Sequence, residues 1–376
     1  MRCSAPRAVG LLGGIVAALC FCAPARGLKI QFDYRYDTGF FTDANVNPQA
    51  SAARGALEYA AKSFEMYRDR LTAIEATDAN YWFARYANPA APWELIEEPN
   101  LVVPANTLII YAAAANIGGA LGYGGPGGFD ANGYHGWSAT VAYRGQAGAA
   151  GANPTDFGAW GGGITFNSTA SWSFDLYGPP SPHGDESDFL SVAIHELAHV
   201  LGFGLVGSWR TYVDANGHEF SGLAATAEFG GAVPLIDDND HWLDGTMSTN
   251  GGEPQEAAMD PDLTVGTRKL LTRLDVAAMV DIGWEMPPDG DADGDGDVDH
   301  FDYLTVKAHL GGQGTWADGD FDFDQDVDAH DLYLLEGGFE AAVPPGTANA
   351  IPEPASLAVL SLAAAGLLHR RKGRGR

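Results

Sequence analysis

Residues 195–199 carry the side chains with the clearest capacity for chemistry. His195 and His199 are four positions apart, so on a helix both imidazoles lie on one face and can reach the same metal ion. Glu196 stands beside the first histidine, where its carboxylate can hold a water molecule and take its proton. The pattern indicates hydrolysis at a zinc ion. The alternative for so short a pattern is two core histidines and a solvated glutamate.

The flanking residues favour a helix that positions these side chains. Asp185, Ser187 and Asp188 are suitable N-terminal caps and place negative charge at the positive end of the helix dipole. Apolar residues then follow at helical spacing. Gly202 and Gly204 offer a stop or a turn after the second histidine. We therefore expect one helix between the acidic residues and the glycines.

A catalytic zinc site needs a third protein ligand and one open position for water. The segment that follows the glycines offers five side chains able to bind a metal. They are His218, Glu219, Glu228, Asp237 and His241.

Three further landmarks follow in the chain. They are the pair His241-Trp242, the run E-A-A-M at residues 256–259, and the run V-D-I-G-W at residues 280–284. Together with H-E-x-x-H-x-x-G-F, this order resembles the leishmanolysin-like branch of the metzincin zinc proteases. The resemblance covers about residues 185–285. In that branch a long insertion precedes the third histidine.

The resemblance implies roles that the short motif leaves open. The common metzincin pattern has its third ligand six residues after the second histidine, where this chain has Leu205, which cannot bind a metal. The leishmanolysin-like pattern implies His241 as the third zinc ligand and Met259 as the methionine turn beneath the zinc. The alternatives are a ligand set that uses Glu228, a surface loop histidine at position 241, and a methionine that only fills the core.

The expected activity is that of an exported zinc endopeptidase. Glu196 would act as general base and later pass the proton to the leaving amine. We expect residues 164–166 to form a short strand at a sheet edge, able to pair with an extended peptide or protein substrate. One alternative is a non-catalytic surface protein with a structural zinc. A glycan-active enzyme would need a carboxylate pair that the sequence does not identify.

Residues 289–340 contain an acidic repeat. Fourteen aspartates and one lysine lie between Asp289 and Asp331, in a chain whose formal net charge is −28. Oxygen ligands at positions 1, 3, 5, 7, 9 and 12 of a loop can surround a calcium ion. The first loop offers Asp291, Asp293, Asp295, Asp297, Asp299 and Asp302, and the second offers Asp320, Asp322, Asp324, Asp326, Asp328 and Asp331.

Aspartate at position 12 and valine at position 8 of each loop resemble the type I dockerin, a paired calcium-loop module. The resemblance implies two structural calcium ions and a cohesin-type domain as partner. Helices are expected at residues 303–310 and 332–335, the second cut short at Gly337-Gly338. The alternative is a solvated acidic linker. The acidic balance argues against nucleic acid as a partner.

The two ends of the chain resemble export segments. Residues 1–27 have a basic start, an apolar stretch and the run A-P-A, as in a signal peptide. Residues 351–376 combine P-E-P, an apolar run and a basic end, which resembles a PEP-CTERM sorting signal. A single-pass membrane anchor is the alternative. Either way, we expect the protein at the cell surface or outside the cell, with transient membrane association through this segment.

The element order predicts an α+β fold. We expect a metzincin-like zincin catalytic domain at residues 28–286, with a twisted sheet and long helices. A small all-α dockerin-like domain would follow at residues 289–340, and then a linker at 341–350. Strands are expected at residues 28–34, 108–112 and 138–143, and an amphipathic helix at 52–74. A capping box at Thr272 and Asp275 predicts a final helix at 275–282.

All three cysteines, Cys3, Cys20 and Cys22, fall within the first 27 residues. The mature chain is therefore expected to contain no disulfide and no thiolate zinc ligand. Its stability must then come from its apolar core and from bound metals.

Overall fold

The computed structural model describes residues 27–177 and 184–342. The expected signal peptide lies outside these residues apart from its last position, as do the sorting segment and all but the first two positions of the linker. Among the helices of the described part, none is long and apolar enough to cross a membrane.

The described residues form a mixed structure, which confirms the α+β class. The strands are β1 (Lys29–Asp33), β2 (Tyr81–Asn88), β3 (Ala91–Pro99), β4 (Thr107–Ala115), β5 (Gly122–Pro126), β6 (Gly128–Asn132), β7 (Gly161–Asn167), β8 (Trp172–Ser173), β9 (Ser187–Asp188), β10 (Glu219–Phe220), β11 (Val233–Pro234), β12 (Met247–Asn250) and β13 (Glu253–Glu256). The helices are α1 (Ala50–Lys62), α2 (Trp137–Tyr143), α3 (Phe189–Val200), α4 (Gly207–Arg210), α5 (Leu223–Phe229), α6 (Arg273–Asp281), α7 (His300–His309) and α8 (Ala329–Ala342).

A four-stranded sheet in the order β1-β4-β7-β5 organises the core. The first three strands are parallel, and β5 runs antiparallel to β7 at the edge. Strand β4 is buried along almost its whole length, as its continuous apolar sequence predicts for a central strand. Helices α1 and α3 pack together on one face, whereas β2 of the three-stranded sheet β3-β2-β6 contacts β7 on the other.

The expected strand at residues 164–166 exists as part of β7, but its expected place at the sheet edge is wrong. Strand β7 lies between β4 and β5, and the edge belongs to β5. The sequence G-Y-G-G-P of β5 has little strand propensity, because glycine and proline are depleted in strands. The glycines are required there for packing, since β5 lies directly against α3.

The helix predicted at residues 52–74 is too long. Helix α1 ends at Lys62, turns follow at residues 63–66, and the chain then leaves the path of the helix. The Leu28 amide donates to the Tyr67 carbonyl at 2.8 Å, and the Asn106 amide donates to the Leu71 carbonyl at 2.9 Å. Phe64, Tyr67 and Leu71, which belong to the apolar face of the predicted helix, are nevertheless buried. Backbone pairing with distant segments, which apolar spacing does not reveal, replaces the helical hydrogen bonds.

The strand predicted at residues 138–143 is helix α2. Trp137 and Val141, one helical turn apart, are its buried residues. Arg144 follows in a left-handed conformation, with φ of 45°, and ends the helix. Its buried guanidinium donates to the carbonyls of Thr107 and Ala159, and so ties the helix end to the main sheet.

Several elements have no counterpart in the prediction. The hairpin β2–β3 and strand β6 form the second sheet, and the segment after Gly204 contains α4, α5 and the short strands β10–β13. The final helix does follow its capping box, with both reciprocal hydrogen bonds between Thr272 and Asp275 present.

The acidic repeat contains α7 and α8. Helix α8 continues through Gly337 and Gly338 to Ala342, so the expected early end is wrong. A Cβ atom at Gly338 would lie 2.1 Å from the Asp289 carbonyl oxygen. Glycine is therefore present because the start of the repeat crosses the helix closely, not because the helix ends there.

Candidate metal centre

Three imidazoles converge at one point of a cleft. The Nε2 atoms of His195, His199 and His241 lie 3.0–3.1 Å from one another. Helix α3 supplies the first two, because their spacing of four places them on the same face. The loop between β11 and β12 supplies the third. Asp188 caps α3 and accepts a hydrogen bond from the Ser191 amide at 3.1 Å.

Hydrogen bonds fix the ring orientation of the two helical histidines. Nδ1 of His195 lies 2.8 Å from the Ala258 carbonyl oxygen, and Nδ1 of His199 lies 2.9 Å from the Phe203 carbonyl oxygen. A carbonyl can only accept, so each Nδ1 carries the proton and each Nε2 presents a lone pair. Lone pairs that face each other repel, and a cation between them removes that repulsion.

His241 is oriented by a carboxylate. Its Nδ1 donates to Asp240 Oδ1 at 2.7 Å, and Asp238 lies further away at 3.6 Å. Burial lowers the pKa of His241, but the hydrogen bond and charge of Asp240 outweigh it and raise the pKa on balance. A carboxylate on the far nitrogen of a metal-binding imidazole is a common arrangement that raises ligand basicity.

Burial keeps the other two rings neutral. Burial, followed by the charge of His199 and His241, lowers the pKa of His195 well below its ordinary value, and burial, followed by the charge of His241, lowers the pKa of His199 to about 4. Neutral imidazoles are the form that binds a divalent metal. The donor set of three nitrogen lone pairs therefore fits zinc.

Glu196 lines the same cavity as the three histidines and is 6% exposed. Burial raises its pKa to about 8, although a hydrogen bond from the Gly124 backbone opposes the shift. Strand β5 lies against this side chain: a Cβ atom at Gly122 would be 2.5 Å from Glu196 Oε1. A Cβ atom at Gly124 would be 2.3 Å from the Glu196 carbonyl oxygen. Glycine at both positions lets the edge strand approach the motif helix.

A buried carboxylate connects the downstream landmarks. Asp275 accepts hydrogen bonds from the amides of Ala258 at 2.8 Å and Met259 at 3.2 Å, and from Trp242 Nε1 at 3.0 Å. Met259 is fully buried in this turn, and the Ala258 carbonyl holds His195. The sequence marks Asp275 only as a helix cap. Asp275 lies sixteen residues after Met259 in the chain, so no local pattern indicates this second role.

The other candidate third ligands lie elsewhere. His218 is largely exposed and sits 3.9 Å from Asp237, and Glu219 and Glu228 are exposed. In the described part of the chain, the group that contains both motif histidines is completed by His241. Leu205 lines the cavity beside them.

The cavity measures about 610 Å³ and extends from β5 past the histidines to Lys269. The Lys269 ammonium is buried and contacts Asp260 at 3.0 Å and Glu256 at 2.9 Å. Its charge is thus neutralised within the wall of the cleft. Val192 and Leu263 supply apolar lining close to the histidines.

The predicted calcium ligands fall into three carboxylate groups. Asp291, Asp293 and Asp302 form one, Asp320, Asp322 and Asp324 a second, and Asp326, Asp328 and Asp331 a third. The structure does not bring Asp295, Asp297 and Asp299 into the first group. Asp299 instead caps α7, where its Oδ1 accepts the Phe301 amide at 2.7 Å.

Two carboxylates of the second loop are buried without full compensation. Asp320 is 4% exposed and Asp322 is 2% exposed, and Oδ1 of each has no hydrogen-bond partner among the described residues. Burial, followed by the charges of Asp331, Asp324 and Asp322, raises the pKa of Asp320 to about 9. Buried charge of one sign is costly without a counterion. An all-carboxylate donor set suits a hard cation such as calcium.

No protein-family model, curated protein or solved structure matches this chain.

Proposed function

We propose that this chain is a zinc-dependent endopeptidase of the leishmanolysin-like metzincin type. The observation that carries the proposal is the convergence of three Nε2 lone pairs, each fixed by a hydrogen bond on its Nδ1, beside a buried glutamate. His195, His199 and His241 would hold the zinc ion. Zinc bound there would lower the pKa of a water molecule to about 7 and polarise the scissile carbonyl.

Glu196 would act as the general base. Its carboxylate faces the cavity between β5 and the histidines, so it can accept a proton from the attacking water. The same carboxylic acid can then donate that proton to the leaving amine. The side chain is held between β5 and its own helix, which limits its motion during both transfers.

Strand β5 provides a place for an extended substrate. Its edge away from β7 is not paired with another strand of the described sheet, so a peptide can add to it by backbone hydrogen bonds. Side chains alternate across such a strand. One set would point into the cavity lined by Val192 and Leu263, and the other would face a second cavity of about 420 Å³ lined by Trp93 and Tyr123.

Replacing Glu196 by Gln tests the proposal. We expect zinc content to stay near one equivalent while kcat/KM for casein or an unfolded protein falls about 100- to 10,000-fold. The matched control is Glu228→Gln, which changes an exposed glutamate and should leave activity intact. Chelator inhibition reversed by zinc should accompany wild-type activity. Full activity of the Glu196→Gln variant would contradict the endopeptidase proposal.

The competing hypothesis is a non-catalytic surface protein with a structural zinc. Structural zinc sites are closed by four protein ligands, whereas catalytic sites keep one position open. The group at His195, His199 and His241 has three members, and its neighbour in the cavity is the carboxylate of Glu196. This arrangement favours the enzyme over the structural site.

We further propose that the acidic module, defined here as residues 289–342, binds calcium and a partner of the cohesin type. Apolar side chains on its helices are available for such a partner: Phe301 and Leu304 on α7 and Tyr333 on α8 are exposed. Export and surface attachment through the chain ends remain predictions, since those ends lie outside the described residues.

A further inference from the structure

The first acidic loop faces the main body, defined as residues 27–286, and not only solvent. Arg68 of the main body donates from Nη1 to Asp291 Oδ2 at 2.6 Å and from Nη2 to the Gly294 carbonyl at 2.7 Å. The arginine side chain is 13% exposed, and the aspartate side chain is fully buried. The Arg68 amide donates to the Glu285 carbonyl at 2.9 Å. A predicted calcium ligand is thus held by the segment that follows α1.

The second acidic loop contacts the hairpin β12–β13. Asn250 Nδ2 donates to the Phe323 carbonyl at 2.8 Å, and the Gly251 amide donates to the Asp322 carbonyl at 3.3 Å. Gly251 has φ of 56°, and a Cβ atom there would lie 2.5 Å from Asp324 Oδ2. The hairpin turn therefore fits closely against a loop whose carboxylates are the predicted ligands.

The same hairpin leads directly into the metal centre. Strand β13 ends at Glu256, two residues before Ala258, whose carbonyl accepts the His195 hydrogen bond at 2.8 Å. Asn250 also donates to the Leu271 carbonyl at 2.9 Å, next to the capping box of α6. The hairpin β12–β13 therefore connects the second acidic loop to the Ala258 carbonyl that orients His195.

An apolar core is shared across this contact. Trp316 and Phe323 of the acidic module line a small cavity together with Met66 and Leu270 of the main body. The module residues Val298, Phe321 and Leu335 are buried in the same hydrophobic cluster as the main core. The module is packed on the main body by apolar contacts as well as by the polar ones.

We infer that the two acidic loops act as an internal calcium-dependent clamp on the metal centre. Calcium would neutralise the buried carboxylates, including the unpartnered Oδ1 atoms of Asp320 and Asp322, and so keep the loops in the form that binds Arg68 and Asn250. Without calcium, mutual repulsion of the carboxylates opens the loops and releases the hairpin. The module then has a partner within its own chain, whether or not it also docks to another protein.

The test follows amide hydrogen exchange in the zinc-loaded full chain as calcium is titrated from zero. We expect calorimetry to show calcium binding, and we expect exchange in the β12–β13 turn, including the Gly251 amide, to slow at least tenfold. Residues 256–259 should be protected in the same titration. Calcium binding that leaves exchange at residues 247–259 unchanged would overturn the inference, and so would the absence of calcium binding.

Two variants separate the clamp from a simple folding requirement. Asn250→Ala and Arg68→Met should still bind calcium and protect the acidic loops, but calcium protection of the β12–β13 turn should fall severalfold. Arg54→Met is the control, because Arg54 is half-exposed on α1 and pairs only with Glu58 among its acidic neighbours in the described structure. Wild-type protection in both test variants would refute the clamp.

The clamp does not depend on peptide hydrolysis. The Glu196→Gln variant should keep full calcium protection of the turn while it loses activity. An inactive wild-type protein that still shows calcium protection would refute only the endopeptidase proposal, and an active protein without that protection would refute only the clamp.

Discussion

Asp240 accepts a hydrogen bond from Nδ1 of His241 at 2.7 Å, and Nε2 of the same ring completes the histidine triad. The carboxylate therefore fixes which nitrogen faces the centre. Of the three histidines, His241 is the one that comes from a loop, so its ring depends on this contact more than the two helical histidines depend on theirs.

Replacing Asp240 by Asn should weaken zinc binding by about 10- to 100-fold, because the ring loses its charged acceptor and part of its basicity. Competition with a chromogenic chelator measures the affinity. Asp237→Asn is the control, since Asp237 is fully exposed in the same loop and lies 3.9 Å from His218 rather than beside His241. Equal zinc affinity in the two variants would contradict the positioning role.

Replacing His241 by Ala should remove most of the bound zinc, whereas His218→Ala should leave the zinc content unchanged. The structure places Nε2 of His241 3.0 Å from Nε2 of His199, and places His218 at an exposed position. Metal analysis of the purified, dialysed proteins reads out the difference. The reverse pattern would transfer the third ligand to another residue.

Replacing Trp93 by Ala should raise KM about fivefold for peptides with apolar or aromatic side chains at alternate positions, with kcat unchanged. The side chain is 74% exposed and lines the cavity beside β5, and loss of one aromatic contact with a bound peptide corresponds to about 1 kcal/mol. Tyr134→Ala is the control, because Tyr134 is 70% exposed and does not line either cavity of the β5 edge. A fall in kcat without a change in KM would argue against this subsite.

Asp69 should make stability depend on pH. Burial raises its pKa to about 7, and Oδ1 has no hydrogen-bond partner among the described residues. The pKa in the unfolded chain is about 3.9, so the folded protein holds the proton more tightly. The resulting stabilisation is complete below about pH 4 and is lost as pH rises to about 7.

Asp69→Asn should therefore flatten the pH dependence of the unfolding free energy between about pH 4 and 7. The expected gain at pH 8, relative to the wild type, is of the order of 2–4 kcal/mol, because three pKa units correspond to about 4 kcal/mol. Urea unfolding with zinc and calcium present measures it. Asp78→Asn, at an exposed position, should keep the wild-type slope. If Asp69→Asn also keeps the wild-type pH dependence, Asp69 is already ionised in the folded protein and the prediction is wrong.

The sequence predicts the local parts of the centre well. Asp188 caps the motif helix, the spacing of His195 and His199 places both rings on one face, and the Thr272 capping box begins the final helix. Each of these depends on residues within one or two turns of each other. Such patterns are visible in the sequence because the interacting groups are close along the chain.

The parts that the sequence does not predict depend on distant contacts. Strand β5 has a glycine-rich sequence because α3 lies against it, and its role as the sheet edge emerges only from that packing. Helix α1 ends at Lys62 because the following backbone pairs with Leu28 and Asn106. The sequence identifies Asp275 only as a helix cap, because Trp242 and Met259 reach it only in the folded chain.

The apolar contact of Trp316 and Phe323 with Met66 and Leu270 limits how this protein can be rearranged. A chain cut at residue 286 would expose apolar surface of the main body, which favours aggregation. The acidic module would in turn lose part of the core that covers its second loop. The main body and the acidic module are therefore not independent units. A protein fusion, whether made in the laboratory or by gene shuffling, must transfer both facing surfaces together.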